Sequence, residues 1–312
     1  MSRRASLSTQ VRPRMGTLLA LTAPAHGRPG GRAERVFAAV ARWERVMSRH
    51  DPRSPVSAVN RAAGGAEVIS PDLARVLRQA RALARRTGGC FDPTMGPLVD
   101  LWQRAGRRGV APAARALAAA RARSGWEALR VRGNRVALAR RGMSLDLGAL
   151  GKGFALDEIR RALRGRGPSG LLNFGESSLV PLGPASGRGW TVMIRHPWGG
   201  FVGAIQLRRR ACSTSGAHGR TVTVAGRWRS HIVDPRSGRP LRRRAQVTVL
   251  APSAAVAEAV STAMLVAGRD AMPGLARRFG VDACWVEGTV VVTTPGFHLH
   301  QLEGALPPAS RG

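Results

Sequence analysis

The sequence predicts an α+β fold, in which helices and short strands are mixed without the strict strand–helix–strand alternation of a parallel sheet. Three observations carry this. Residues 32–123 are dominated by helical-period segments, residues 170–251 by short apolar stretches of strand length, and no internal repeat relates the two. With 312 residues, 44% of them hydrophobic, the chain has ample material for a packed core, so disorder or a fibrous form throughout is excluded.

Residues 1–14 read as a loose basic tail, 15–303 as one domain and 304–312 as a second loose tail. Residues 15–23 suit a strand. Val36, Val40, Trp43 and Met47 recur near helical period within 32–49. A helix is predicted over 71–86, because Pro71 opens it and Gly88-Gly89 close it. Another covers 111–123, and residues 129–138 read as a hairpin turning at Gly133-Asn134. Residues 144–153 read as a strand running into a glycine turn, followed by a helix to Leu163. Strands follow near 170–174, 178–182, 190–195, 201–207, 220–224, 227–233 and 245–251. Helices near 254–267 and 269–279 and a hairpin over 283–294 complete the domain.

There are 50 basic and 18 acidic residues, a formal net charge of +32. Such a field attracts polyanions, anionic membranes or acidic cofactors. The arginines are scattered along the chain and aromatics make up only 4%, which argues against a nucleic-acid-binding face. Lys152 is the single lysine, and it lies in the most glycine-dense motif. The three cysteines show no metal-knuckle or disulfide spacing and read as thiols of a reducing compartment. Arg3-Arg4 is not followed by an apolar stretch, since Gln10, Arg12 and Arg14 interrupt it. No run approaches the ~20 apolar residues of a membrane span, so a cytoplasmic protein is expected.

Four motifs could carry chemistry. Asp146-Leu-Gly148 through Gly151-Lys152-Gly153 to Asp157 places glycines and a cation at a helix start, which suits either a phosphate cradle or a tightly packed turn. Phe91-Asp92-Pro93-Thr94-Met95-Gly96-Pro97 reads as a rigid irregular loop, with Asp92 and Thr94 able to bind a hydroxylated ligand or merely to brace it. Ser213-Thr214-Ser215-Gly216 and His231-Ile-Val-Asp234-Pro-Arg236-Ser-Gly238 group hydroxyls that suit phosphate or ribose with a histidine able to act as base or charge stabiliser, or to serve only a structural role. Glu258 and Thr262 share one face of a helix, where an oxygen pair could hold a hard cation or simply pack.

In order and spacing these motifs resemble the ApbE family of FAD:protein FMN transferases. Met15-Gly16-Thr17, the segment from Met47-Ser48 through Ser54 and Ser57 to Asn60, and Leu172-Asn173-Phe174-Gly175 complete the likeness over about residues 15–300. The resemblance implies one α+β domain with a flavin cleft. The enzyme would move FMN from FAD to a Thr or Ser hydroxyl of an acceptor flavoprotein, releasing AMP, with Mg²⁺ as cofactor. His231 would be the catalytic group. Mg²⁺ would be held by the Ala149 carbonyl, Glu258 and Thr262. Met47, Ser48, Asn60, Asp92, Thr94, Lys152, Asp157, Asn173, Gly175, Thr214 and Ser215 would line the FAD site.

The chain departs from the family pattern at Glu258, where Asp is usual, at Gly175-Glu176, where Gly-Gly is usual, and at Phe154 and His218, where tyrosines stand. The alternative these departures leave open is an FAD-binding or FAD-splitting relative that yields FMN and AMP without an acceptor.

Overall fold

A computed structural model describes residues 6–25, 30–163, 169–183, 189–217 and 221–300. The amino-terminal part holds strands β1 (Leu7–Arg14) and β2 (Thr17–Pro24), helices α1 (Gly30–Met47) and α2 (Pro55–Arg61), and strand β3 (Ala66–Val68). Helices α3 (Pro71–Arg86), α4 (Gly96–Arg108) and α5 (Ala114–Ala122) follow, then β4 (Leu129–Arg132) and β5 (Arg135–Leu138). Helix α6 (Gly151–Ala162) leads into β6 (Gly170–Phe174), β7 (Ser178–Gly183), β8 (Trp190–Arg195), β9 (Phe201–Leu207) and β10 (Ala211–Gly216). Next come β11 (Thr221–Val224), β12 (Arg227–Ser230), β13 (Val233–Asp234), β14 (Arg239–Pro240) and β15 (Ala245–Ala251). Helices α7 (Ala254–Ala267) and α8 (Met272–Phe279) and strands β16 (Asp282–Glu287) and β17 (Val290–Thr293) end the described chain.

Eight strands form one sheet in the order β1-β2-β6-β7-β10-β15-β16-β17, and every neighbouring pair is antiparallel. Side chains alternate across its two faces. On one face Leu19, Leu21, Leu172, Phe174 and Val180 pack with Val36, Phe37 and Val40 of α1 and Leu156 and Ile159 of α6. On the other, Leu179, Cys212, Leu250, Cys284 and Val286 pack under the β8–β9 hairpin. All seven residues of β15 are buried, as a central strand covered on both faces requires. Helix α7 is buried almost all round, lying between the sheet, α6 and α3. The whole is the expected α+β domain.

Four expectations are corrected. Residues 7–14 are not a loose tail but edge strand β1, paired in full with β2. Its Arg12, Pro13 and Arg14 hide the apolar alternation, yet an outermost strand tolerates all three. Residues 144–147 are not a strand. Ser144 makes one bridge to Met95, the Asp146 N–H donates to the Pro93 carbonyl (2.8 Å), and the Leu145 N–H donates to Asn60 Oδ1 (2.7 Å). The second half of the 91–98 loop is the first turn of α4, where Pro97 is tolerated because the first-turn N–H groups have no helical partner. The stretch 227–233 breaks after Ser230, leaving His231 between β12 and β13. No described helix is long and apolar enough to cross a membrane. His218 and the 304–312 tail lie outside the described residues.

Candidate functional site at the junction of helices α6 and α7

Helices α6 and α7 meet at Gly153. A β-carbon there would lie 2.4 Å from the Ala254 carbonyl oxygen, so glycine is what lets the two backbones touch. Around this contact each helix supplies a carboxylate to the other's first turn. Asp157 of α6 accepts from the Ala254 N–H (2.9 Å), the Ala255 N–H (3.0 Å) and Ser253 Oγ (2.6 Å) at the start of α7. Glu258 of α7 accepts from the Gly153 N–H (2.9 Å) at the start of α6. Both arrangements place a negative charge at the positive end of a helix and satisfy orphan donors there.

Glu258 is 3% exposed, and its other oxygen is also occupied. Oε1 lies 2.8 Å from Lys152 Nζ and accepts from Ser178 Oγ at 2.5 Å. A carboxylate this deep requires such compensation, since an unpaired buried charge costs several kcal/mol. One turn further along α7, Thr262 Oγ1 lies 3.0 Å from Ser215 Oγ, which is itself 2.8 Å from Ser261 Oγ. Thr214, on the opposite face of β10, pairs with Thr248 at 2.9 Å. Met47 packs over Gly151 at the start of α6, and Ala149 is half-buried just before it.

In the glycine turn the Gly151 and Phe154 N–H groups are taken by the Leu147 and Leu150 carbonyls and the Gly153 N–H by Glu258.

Several expected ligand-binding side chains hold hydrogen bonds within the loops that carry them. Ser48 Oγ accepts from the His50 and Asp51 N–H groups. Asn60 clamps both backbone groups of Leu145. Asp92 is buried, accepting from the Thr94 N–H and hydroxyl (2.7 Å each) and the Trp126 N–H (3.0 Å). Burial pushes its carboxyl above the usual range, against the opposing pull of these hydrogen bonds. Thr94 Oγ1 also accepts from the Gly125 N–H. Asn173 Oδ1 accepts from the Glu176 N–H in the turn Gly175-Glu176, where both residues are left-handed (φ 62° and 55°).

His231 is exposed. Its neighbours are fixed: the Ser230 N–H donates to the Leu241 carbonyl, and the Leu241 N–H donates to the Ile232 carbonyl. An open depression of about 420 Å³ lies between the Asp92 loop and the Pro235-Arg236 turn, lined also by Arg121, Ala122, Ser124 and Gly125.

Sequence reasoning missed Ser178, Ser253 and Arg49. Ser178 is fully buried in an apolar strand, and nothing in its neighbours marks it. Ser253 stands just ahead of a helix, a readable N-cap signal. Arg49 joins Asp100 (2.7 Å) to Asp146 (2.9 Å) and so ties the loop after α1 to the segment entering α6.

Residues 15–285 match the model of the ApbE family. The chain is 35% identical to the FAD:protein FMN transferase of Rhodobacter capsulatus, over 94% of its own length and 58% of that protein's. It is 34% identical to the protein of the same name from Treponema pallidum, over 81% of its own length and 76% of the other's. Among solved structures, the ApbE protein of Thermotoga maritima superposes with a TM-score of 0.84 at 27% identity, covering 93% of this chain and 97% of that one. The apo form of Pseudomonas stutzeri flavinyl transferase ApbE superposes at 0.79, also at 27% identity, covering 93% and 94%.

Proposed function

Because this chain belongs to the ApbE family, we propose that it is an FAD:protein FMN transferase. A Ser or Thr hydroxyl oxygen of an acceptor protein forms a bond to the FAD phosphorus on the riboflavin side. The anhydride bond on that phosphorus breaks, AMP leaves with the bridging oxygen, and FMN stays on the acceptor as a phosphoester. The acceptor proton passes to a base, for which His231 is our candidate: it is exposed on a segment held from both sides by Leu241. Met47, Asn173, Gly175, Thr214 and Ser215 are proposed to shape the FAD cleft. Ser48, Asn60, Asp92, Thr94 and Asp157, whose side chains are already engaged, would act by positioning its walls.

One observation carries this reading. The glycine–lysine turn, the Thr214-Ser215 strand and the Glu258–Thr262 face come from three distant parts of the sequence and meet at one junction.

The Mg²⁺ implied by the family does not fit these residues as folded. The Ala149 carbonyl, Glu258 and Thr262 are oxygen donors of the right class. Both Glu258 oxygens, however, are engaged by Lys152, Ser178 and Gly153, and the Thr262 hydroxyl by Ser215.

The test is incubation of the purified chain with FAD and a peptide bearing an acceptor Thr, following AMP and peptide mass. A peptide that gains FMN, and loses the gain in His231→Ala, supports the transfer. AMP and free FMN with an unmodified peptide would instead make the protein an FAD-splitting relative.

A further inference from the structure

The misfit at Glu258 has its own chemistry. The carboxylate is reached by three donors from two elements: the Lys152 ammonium (2.8 Å), the Gly153 N–H (2.9 Å) and the Ser178 hydroxyl (2.5 Å). Glutamate is one methylene longer than the aspartate usual in the family. The Glu258 carboxylate lies at the first turn of α6, where lysine and helix end are both positive. The lysine is the only one among the 50 basic residues of the chain. An ammonium is a compact point charge with three radiating donors, whereas a guanidinium is a flat fork. Of the two basic side chains, only the ammonium resembles a small metal cation in shape and charge density.

We propose that Lys152 is the resident cation of this site. It neutralises Glu258 in place of a divalent ion, and FAD cleavage proceeds without added metal. The second half of that statement rests on the transferase reading; the first half does not. Removing the ammonium should leave a buried carboxylate without a counter-charge, and this should recruit a divalent ion from solution.

The experiment is calorimetric titration of MgCl₂ into the EDTA-treated full chain, with melting curves in parallel. The wild type should give no saturable heat and an unchanged melting point. Lys152→Met should bind Mg²⁺ saturably and should melt higher in its presence. Lys152→Met combined with Glu258→Gln should lose that binding, which identifies Glu258 as the ligand. If Lys152→Met does not fold, Glu258→Asp serves the same purpose, since its shorter carboxylate withdraws from Lys152 and Gly153.

AMP release by the wild type should be the same in EDTA as in MgCl₂. Saturable Mg²⁺ binding by the wild type that disappears in Glu258→Gln would overturn the proposal. So would a loss of about tenfold in AMP release in EDTA that MgCl₂ restores. Absence of AMP release in both conditions would refute the transferase reading and leave the calorimetry to decide the cation.

Discussion

Replacing Asp157 with alanine tests whether this residue holds two helices together or touches FAD. Its carboxylate, 12% exposed, accepts from two backbone N–H groups and one hydroxyl at the start of α7. Loss of an N-terminal cap costs about 1 kcal/mol, and each hydrogen bond to a buried charge adds about 1.5–3 kcal/mol before relaxation. Ser253 still caps Val256, and water reaches part of the gap, so the net loss should be about 3 kcal/mol. The contact with Arg160 (3.1 Å) is partly exposed and adds little. For a chain of this size such a loss lowers the melting temperature by about 4–5 °C. The assay is urea unfolding at constant m-value, with FAD binding measured on the folded variant. A change below about 0.5 kcal/mol, with FAD affinity lost instead, would refute the cap and restore Asp157 as a ligand-binding residue.

Three further outcomes follow from the same geometry. Gly153→Ala places a methyl against the Ala254 carbonyl and should destabilise by about 3 kcal/mol, read by chemical denaturation. Glu176→Gly should stabilise by about 0.5–1 kcal/mol, because the residue is left-handed and its ion pair with Arg195 is exposed; a rise in melting temperature checks this. Asp92 has a folded-state pKa raised by burial, so the folded protein binds more protons than the unfolded chain just above the ordinary carboxyl range. Its contribution to stability is therefore best at low pH and falls as pH rises from about 4 toward the raised value. Asp92→Asn should flatten that slope in pH-dependent melting. It should also cost about 1–2 kcal/mol, because an amide nitrogen cannot accept from the Trp126 N–H.

How much of this was legible in the sequence depends on where each signal lies. Helix α3 announces itself by Pro71 at its start and Gly88-Gly89 just past its end, and it runs over Pro71–Arg86 as read, with Leu73, Val76, Leu77 and Ala80 buried and Ser70, which the sequence reading did not single out, capping Leu73. The turn at Gly133-Asn134 is equally local. Strand β1 was hidden because pairing at a sheet edge needs only a neighbour, and its side chains carry little burial. The family motifs were legible as motifs but not as roles. Asp157 and Asn60 sit at signature positions, yet their partners lie 96–98 and 85 residues away, and no local pattern shows which backbone group they meet. Ser178 illustrates the limit from the other side: a hydroxyl buried among apolar neighbours is chosen by Glu258, 80 residues later.

The mutual capping of α6 and α7 also sets an order of events during synthesis. The first turn of α6 is completed by Glu258, which follows Gly153 by 105 residues. At about 5–20 residues per second, a ribosome needs about 5–20 s to deliver that carboxylate after the glycine. Through that interval Lys152 and the α6 terminus stand without their partner, and most of the central sheet between β6 and β15 is made around an unfinished helix. The junction is therefore among the last parts of the nascent protein able to close. A chain halted anywhere before α7 carries an open α6 terminus, whatever else it has folded.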